Sequence, residues 1–209
     1  QKVVVNAHRV ALTGGFNVEG VYFEPPQNNG WHDLALELSG PVVASLARWY
    51  DLIEKWTRSP KGQWKAIRRL VRAWNPGPGP VQVLLGGPTR GLSPWARAVS
   101  NDLIHGERLD MMMAYFSPAV RLLARIGRIA KKGRTRLLLA AKSDNGATIG
   151  ASRLLYGKLL KKGARIWEFS PCKLHTKLIV LHAGVYFDSA NFDMRSVYIN
   201  LRIIVRIVE

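Results

Sequence analysis

The stretch that decides the fold is residues 175–191, HTKLIVLHAGVYFDSAN, near the end of the 209-residue chain. A second, weaker copy stands near the start, at residues 2–17, KVVVNAHRVALTGGFN. Each copy has a lysine, an apolar run, a polar turn, a second apolar run and small residues before an asparagine. The spacing from lysine to asparagine is fifteen positions in the first copy and fourteen in the second. Because apolar, β-branched runs on both sides of a turn predict a strand pair, the two copies predict a duplicated hairpin unit.

The polar residues of the second copy point to phosphate chemistry. His175 and Lys177 are two positions apart on a predicted strand, so their side chains lie on the same face. Ammonium and amide groups neutralise the oxygens of a phosphodiester as preorganised donors, and a neutral imidazole can attack phosphorus. An isolated H-x-K would indicate nothing, but together with Asn191 and the first copy it predicts a phosphodiester site.

The two copies resemble the phospholipase D superfamily, whose signature is H-x-K-x4-D followed by G-S-x-N, once in each half. Residues 191–200, the Trp31-His32-Asp33 run and residues 115–118 and 142–144 are similar to the bacterial cardiolipin synthase branch. The resemblance covers essentially the whole chain. The catalytic residues that it implies are His175, Lys177, Asn191, Lys2 and Asn17, with Ser189, Gly15 and Asp33 in supporting roles.

The resemblance also implies a mechanism. One histidine attacks phosphorus to give a covalent phosphoryl-histidine, and a second histidine protonates the leaving alcohol. That second residue is expected one position before Gln1, so it is supplied by upstream sequence. The scheme needs no metal and no cofactor. Water as the acceptor gives hydrolysis, whereas a glycerol or lipid hydroxyl gives phosphatidyl transfer.

Four positions depart from the family pattern. Ala7 and His182 stand where each copy of the motif has aspartate, and Asp188 replaces the glycine before Ser189. Arg202 stands where the branch usually has an acidic residue that orients a catalytic imidazole, and a cation there disfavours an imidazolium. Asp33 is the counterpart of that acidic residue in the first half. The sequence leaves open whether these substitutions abolish activity.

The remaining pattern predicts an α/β fold. Strands and helices alternate beyond residue 80, which favours a sheet covered by helices, and the last three predicted strands have no helices between them. We therefore expect a phospholipase D-type mixed sheet flanked by helices, in two pseudo-twofold-related halves of which the first is truncated. Residues 76–80, PGPGP, predict a stiff linker. It separates the C-terminal portion of the first half, residues 1–75, from the second half, residues 81–209.

The net charge of the chain indicates which binding partners to expect. The chain carries 31 Lys and Arg against 14 Asp and Glu, a formal charge of +17, which attracts polyanions. The predicted helix at residues 61–74 has Trp64 and Trp74, which we expect to share a face. That face either inserts at a membrane interface or packs on the core of the protein as in an ordinary basic surface helix. We therefore expect a phospholipid substrate and an anionic membrane surface as partners, with a peripheral location at the cytoplasmic face of a bacterial inner membrane. A nuclease or nucleic-acid-binding protein of the same fold, and a catalytically degenerate lipid-binding protein, are the alternatives.

Overall fold

The computed structural model describes residues 2–7, 9–59, 64–143, 146–188, 191–193 and 199–208. The strands are β1 (Val3–Asn6), β2 (Val10–Gly14), β3 (Trp31–His32), β4 (Ala35–Ser39), β5 (Val81–Gly86), β6 (Arg108–Met113), β7 (Phe116–Ser117), β8 (Arg134–Ala140), β9 (Arg165–Phe169), β10 (Lys173–Leu174), β11 (Lys177–Leu181), β12 (Gly184–Asp188), β13 (Phe192–Asp193) and β14 (Arg202–Ile207). The α-helices are α1 (Pro41–Thr57), α2 (Trp64–Ala73), α3 (Pro94–His105), α4 (Val120–Lys132) and α5 (Gly146–Leu160). Short 3-10 helices lie at Gly20–Tyr22 and Pro26–Asn28.

The central sheet has seven strands in the order β5-β14-β12-β11-β6-β8-β9. Neighbours from β5 to β6 are antiparallel, whereas β6, β8 and β9 are parallel. The parallel strands are connected by α4 and α5, as parallel neighbours require crossovers. The antiparallel strands β11 and β12 are joined by a turn, so the predicted mixed sheet is confirmed.

Helices pack on both faces of this sheet, which confirms the predicted α/β class. Alternate residues of β5 show this arrangement, because side chains alternate between the faces of a strand. Leu84 packs in the core beneath α3 and α4, while Val83 and Leu85 pack in a second core with α1 and α2. The second core joins side chains from both sides of the Pro/Gly segment, so residues before and after it share one hydrophobic cluster. The division into two halves stays a prediction.

The duplicated hairpin is visible in the strand order. A smaller sheet has the order β1-β2-β4, and the central sheet contains β11-β12-β14. In each set the hairpin strands are antiparallel, and a third antiparallel strand pairs with the second strand of the hairpin. The two copies found in the sequence therefore have the same local topology.

The prediction that Trp64 and Trp74 share a face and insert together is wrong. Trp74 is 8% exposed, its Nε1 donates to the Val83 carbonyl at 2.7 Å, and its ring meets Trp49 edge-on at 5.7 Å. Trp64 is 63% exposed. Trp74 follows the last residue of α2, and even a continued helix would place it roughly 80° from Trp64, since ten positions at 100° each are not a whole number of turns. The two indoles therefore do not share a face. The predicted start at residue 61 lies outside the described residues. Among the helices that the structure describes, none is long and apolar enough to span a bilayer.

Candidate active site

A short ladder between distant segments positions His175. The sequence predicts one strand through His175 and Lys177, but the structure has two short strands here, β10 and β11, with His175 between them. Leu174 pairs in parallel with His32, while Lys177 pairs with Met113 in the central sheet. Between them, the His175 amide donates to the His32 carbonyl at 2.7 Å. The chain therefore leaves the small β3-β10 sheet and enters the central sheet at His175. The side chain of His175 contacts the residue that follows β3.

That residue is Asp33. Its carboxylate accepts a hydrogen bond from His175 Nδ1 at 2.6 Å, and the two side chains are 5% and 13% exposed. A carboxylate only accepts, so Nδ1 carries the proton and the lone pair is on Nε2. The structure thus places the predicted supporting carboxylate where it fixes the tautomer and the orientation of the imidazole.

The surroundings of His175 favour its neutral form. Burial lowers the pKa of His175 below its usual range, since it penalises the imidazolium. The hydrogen bond to Asp33 acts in the opposite direction. The positive charges of Lys177 and Lys2 lower the pKa further. A neutral imidazole with a free Nε2 lone pair is the form that attacks an electrophile.

Two lysines from distant parts of the chain supply positive charge at this imidazole. Lys177 is 2% exposed and donates to the His175 carbonyl. Lys2 Nζ donates to the Gly15 carbonyl at 2.6 Å. Burial lowers the pKa of Lys2, the charge of Asp33 raises it, and the charge of Arg202 lowers it. The structure therefore brings together His175 and both predicted lysines.

Gly15 allows this arrangement by lacking a side chain. A Cβ built at Gly15 would lie 2.6 Å and 2.7 Å from the two carboxylate oxygens of Asp33. Real Cβ atoms do not approach oxygens so closely, so any larger residue would displace the carboxylate. Gly15 thus holds Lys2 through its carbonyl and admits Asp33 through its missing Cβ.

Aromatic side chains surround the imidazole. The rings of Tyr22, Trp31 and Tyr115 lie 5.4 Å, 5.6 Å and 6.4 Å from that of His175. Asn17 reaches the site through Tyr22, because its Nδ2 donates to Tyr22 Oη at 3.5 Å and that hydroxyl lies 3.5 Å from His175 Nδ1. Trp31 and Tyr115 belong to segments quoted for the resemblance, but the sequence carried no signal for Tyr22.

Asn191 is placed less directly than the other predicted residues. It precedes β13, which pairs with β7, and β7 begins one residue after Tyr115. Its Oδ1 is buried and has no hydrogen-bond partner among the described residues. Because rotation of an amide exchanges its oxygen and nitrogen, this position can also present N–H groups to an anion. Ser189 lies outside the described residues.

The four departures from the family pattern lie at different places in the fold. Asp188 is the last residue of β12. His182 is exposed in the turn after β11, five residues beyond Lys177, which is roughly 16 Å along an extended strand. Ala7 occupies the equivalent turn after β1 with a φ of 44°. Both positions are at the far ends of their hairpins, so these substitutions remove no group from the site. Arg202, the first residue of β14, acts on the pKa of Lys2, while the carboxylate partner of His175 is Asp33.

Comparisons with known proteins identify the family. Residues 102–209, just over half of the chain, match the family described as cardiolipin synthase, PLD-like domain. The chain is 28% identical over 216 residues to cardiolipin synthase 2 of Bacillus anthracis, covering 97% of this chain and 40% of that protein. It is 28% identical over 221 residues to cardiolipin synthase A of Klebsiella pneumoniae, covering 97% and 43%. The chain therefore spans about two fifths of the length of the curated relatives it matches.

Solved structures share the fold at low sequence identity. The structure of phosphatidylserine synthase from Haemophilus influenzae superposes with a TM-score of 0.72 at 12% identity, covering 100% of this chain and 57% of that one. Polyphosphate kinase from Porphyromonas gingivalis gives 0.59 at 14% identity, covering 96% and 28%. The family match, the mixed sheet and the repeated hairpins lead to one conclusion: the chain belongs to the cardiolipin synthase-type, phospholipase D-like family.

Proposed function

We propose that this chain forms part of a phosphodiester-transferring enzyme that acts on phospholipids through a covalent phosphoryl-histidine on His175. The observation that carries the proposal is the 2.6 Å hydrogen bond from His175 Nδ1 to Asp33, which leaves the Nε2 lone pair for attack. The lowered pKa of His175 supports the same role, because it keeps the imidazole neutral near neutral pH.

The reaction has two displacements at phosphorus. In the first, His175 Nε2 forms a P–N bond while the P–O bond to the leaving alcohol breaks, and the alcohol takes a proton. In the second, the oxygen of an acceptor hydroxyl forms a P–O bond, the P–N bond breaks and the acceptor loses its proton. The resemblance assigns both proton transfers to a second histidine, which belongs to the first copy of the motif. Lys177 and Lys2 neutralise charge that develops on the phosphoryl oxygens.

The choice of a phospholipid rests on similarity to proteins of known name. The relatives are cardiolipin synthases, and one structural neighbour is a phosphatidylserine synthase. We also propose that the reaction takes place at a membrane surface, on its cytoplasmic face. The acceptor, whether water, glycerol or a second lipid, follows from neither the geometry nor the similarity.

An experiment with a matched histidine control tests the proposal. The full-length protein is assayed for headgroup release from a phospholipid and, separately, for cleavage of a short DNA duplex. We expect His175→Ala to abolish turnover of the lipid, while His182→Ala, in the exposed turn, retains it. Activity should survive EDTA, because the imidazole supplies the nucleophile.

Three results would contradict the proposal. They are an active His175→Ala protein, activity that chelation removes and zinc or magnesium restores, and cleavage of DNA without turnover of lipid.

A further inference from the structure

The exposed face of α2 carries a continuous stripe of positive charge. Lys65, Arg68, Arg69 and Arg72 have the spacing i, i+3, i+4, i+7, which places them on one side of a helix. Arg90, in the loop after β5, joins them, and the five side chains line a cavity of about 510 Å³. We call this cavity the arginine pocket.

The positive charge of the arginine pocket has no acidic partner among the described residues. None of the residues that line it carries a carboxylate. Within the described parts of the chain, no ion pair includes any of the five cations. Like charges four positions apart, as in Lys65 with Arg69 and Arg68 with Arg72, destabilise a helix. An anion bound between them would relieve this repulsion.

The buried face of α2 keeps the helix in place despite the repulsion. Ile67 and Val71 are fully buried in the core that α2 shares with α1 and the central sheet. Their packing fixes the direction in which the opposite face points. The arginine pocket is therefore a built feature of the fold.

Packing also connects the arginine pocket to the end of the sheet that carries the candidate site. Gly87 lies between α2 and the segment before β14, since a Cβ built there would be 3.2 Å from Val71 and 3.6 Å from Leu201. The next residue, Arg202, pairs with Gly86 and influences the pKa of Lys2. The face of α2 opposite the arginine pocket therefore packs against the end of the sheet that carries the candidate site.

We propose that the arginine pocket binds the phosphate group of an anionic phospholipid in the bilayer surface, separately from the phosphodiester at His175. Guanidinium groups recognise phosphate through paired hydrogen bonds. Trp64, exposed beside Lys65 at the start of α2, has the amphipathic ring that prefers the membrane interface. The choice of a lipid as the source of the phosphate rests on the proposed function. A lipid held here would keep the membrane at the end of the sheet where His175 lies.

Vesicle binding without turnover tests this inference. The full-length protein is incubated with phosphatidylcholine vesicles with or without phosphatidylglycerol, and bound protein is measured by flotation. The test variant is Arg68→Gln with Arg72→Gln, and the matched control is Arg121→Gln with Arg128→Gln, which removes the same charge from the exposed face of α4. Because each cation near an anionic surface contributes on the order of fivefold in affinity, we expect the test variant to bind phosphatidylglycerol vesicles about 30-fold more weakly. The control should change by less than about threefold.

Two further measurements test whether the weaker vesicle binding comes from loss of a phosphate site. Soluble glycerol phosphate should compete with vesicles for the parent protein and much less for the test variant, as a site for the phosphate group requires. The test variant should also unfold at a slightly higher temperature than the parent in the absence of ligand, because like-charge repulsion is removed.

Equal weakening of the two variants would overturn the proposal, since diffuse net charge would explain it. Loss of binding to a DNA duplex, with vesicle binding unchanged, would overturn it in favour of a nucleic-acid surface. Because neither assay involves chemistry at phosphorus, these outcomes are distinguishable from a failure of the proposed reaction at His175.

Discussion

Replacement of Asp33 by asparagine tests how the imidazole is prepared for attack. The carboxylate accepts from His175 Nδ1 at 2.6 Å, and its own side chain is only 5% exposed. An amide has the same shape but can also donate, so it permits the tautomer in which Nε2 carries the proton and has no lone pair. A comparable aspartate-to-asparagine change beside a catalytic histidine lowers kcat about 10⁴-fold. We expect a loss on the order of 10³ to 10⁴ here.

The pH dependence of the Asp33→Asn variant has a definite sign. In the parent, the carboxylate raises the pKa of His175, while burial and the charges of Lys177 and Lys2 lower it. Without the carboxylate, only the lowering influences remain, so protonation of the imidazole needs a lower pH. The acidic limb of the rate profile should therefore move to lower pH, even though the maximum rate falls. In a Lys177→Met variant, the same limb should move to higher pH.

The assay uses an aryl phosphodiester such as bis(p-nitrophenyl) phosphate. Its leaving group departs without a proton, so the rate reports on the nucleophile and not on the general acid. Asp51→Asn, on the exposed surface of α1, is the matched control and should retain the parent rate. If Asp33→Asn keeps more than about a tenth of the activity, or if its acidic limb moves upward, the assigned role of Asp33 is wrong.

Further variants test other parts of the account. Gly15→Ala places a Cβ 2.6 Å from an Asp33 oxygen and should lower turnover strongly, whereas Gly20→Ala, with nothing within 4 Å, should retain the parent rate in the same assay. Trp74→Ala removes a buried ring and should lower the free energy of unfolding by about 3–5 kcal/mol. Trp64→Ala, at an exposed position, should change it by less than about 0.5 kcal/mol in the same denaturant titration. Equal effects of the two tryptophan variants would contradict the observed burial.

The sequence predicted those features of the fold that depend on local pattern. The helix that the sequence predicts from Pro94 to His105 has these bounds in the structure, since Pro94 suits a first turn. The mixed sheet follows from strands without intervening helices. The helical face at Trp74 was misread, because ten residues are not a whole number of turns and because core packing at Val83 decides which indole is buried.

The candidate site was partly predictable for a different reason. The repeat indicated the two lysines and the two asparagines, and the H-x-K spacing before Lys177 indicated His175. The two-residue ladder between β3 and β10 has no sequence signal, yet it brings Asp33 to His175 across 142 positions. The sequence pattern does not indicate Tyr22 either, because its contact with His175 depends on the path of a loop. Long-range contacts of this kind require the three-dimensional structure.

The most direct test of the account is to trap the intermediate. The full-length protein is mixed with an aryl phosphodiester, quenched in base during the first turnover, and digested for mass spectrometry. We expect a phosphoryl adduct on the peptide that contains His175, stable to base, labile to acid and absent from His175→Ala. Rapid release of the aryl alcohol with no adduct on this peptide, or an adduct on a different residue, would contradict the central claim that His175 attacks phosphorus.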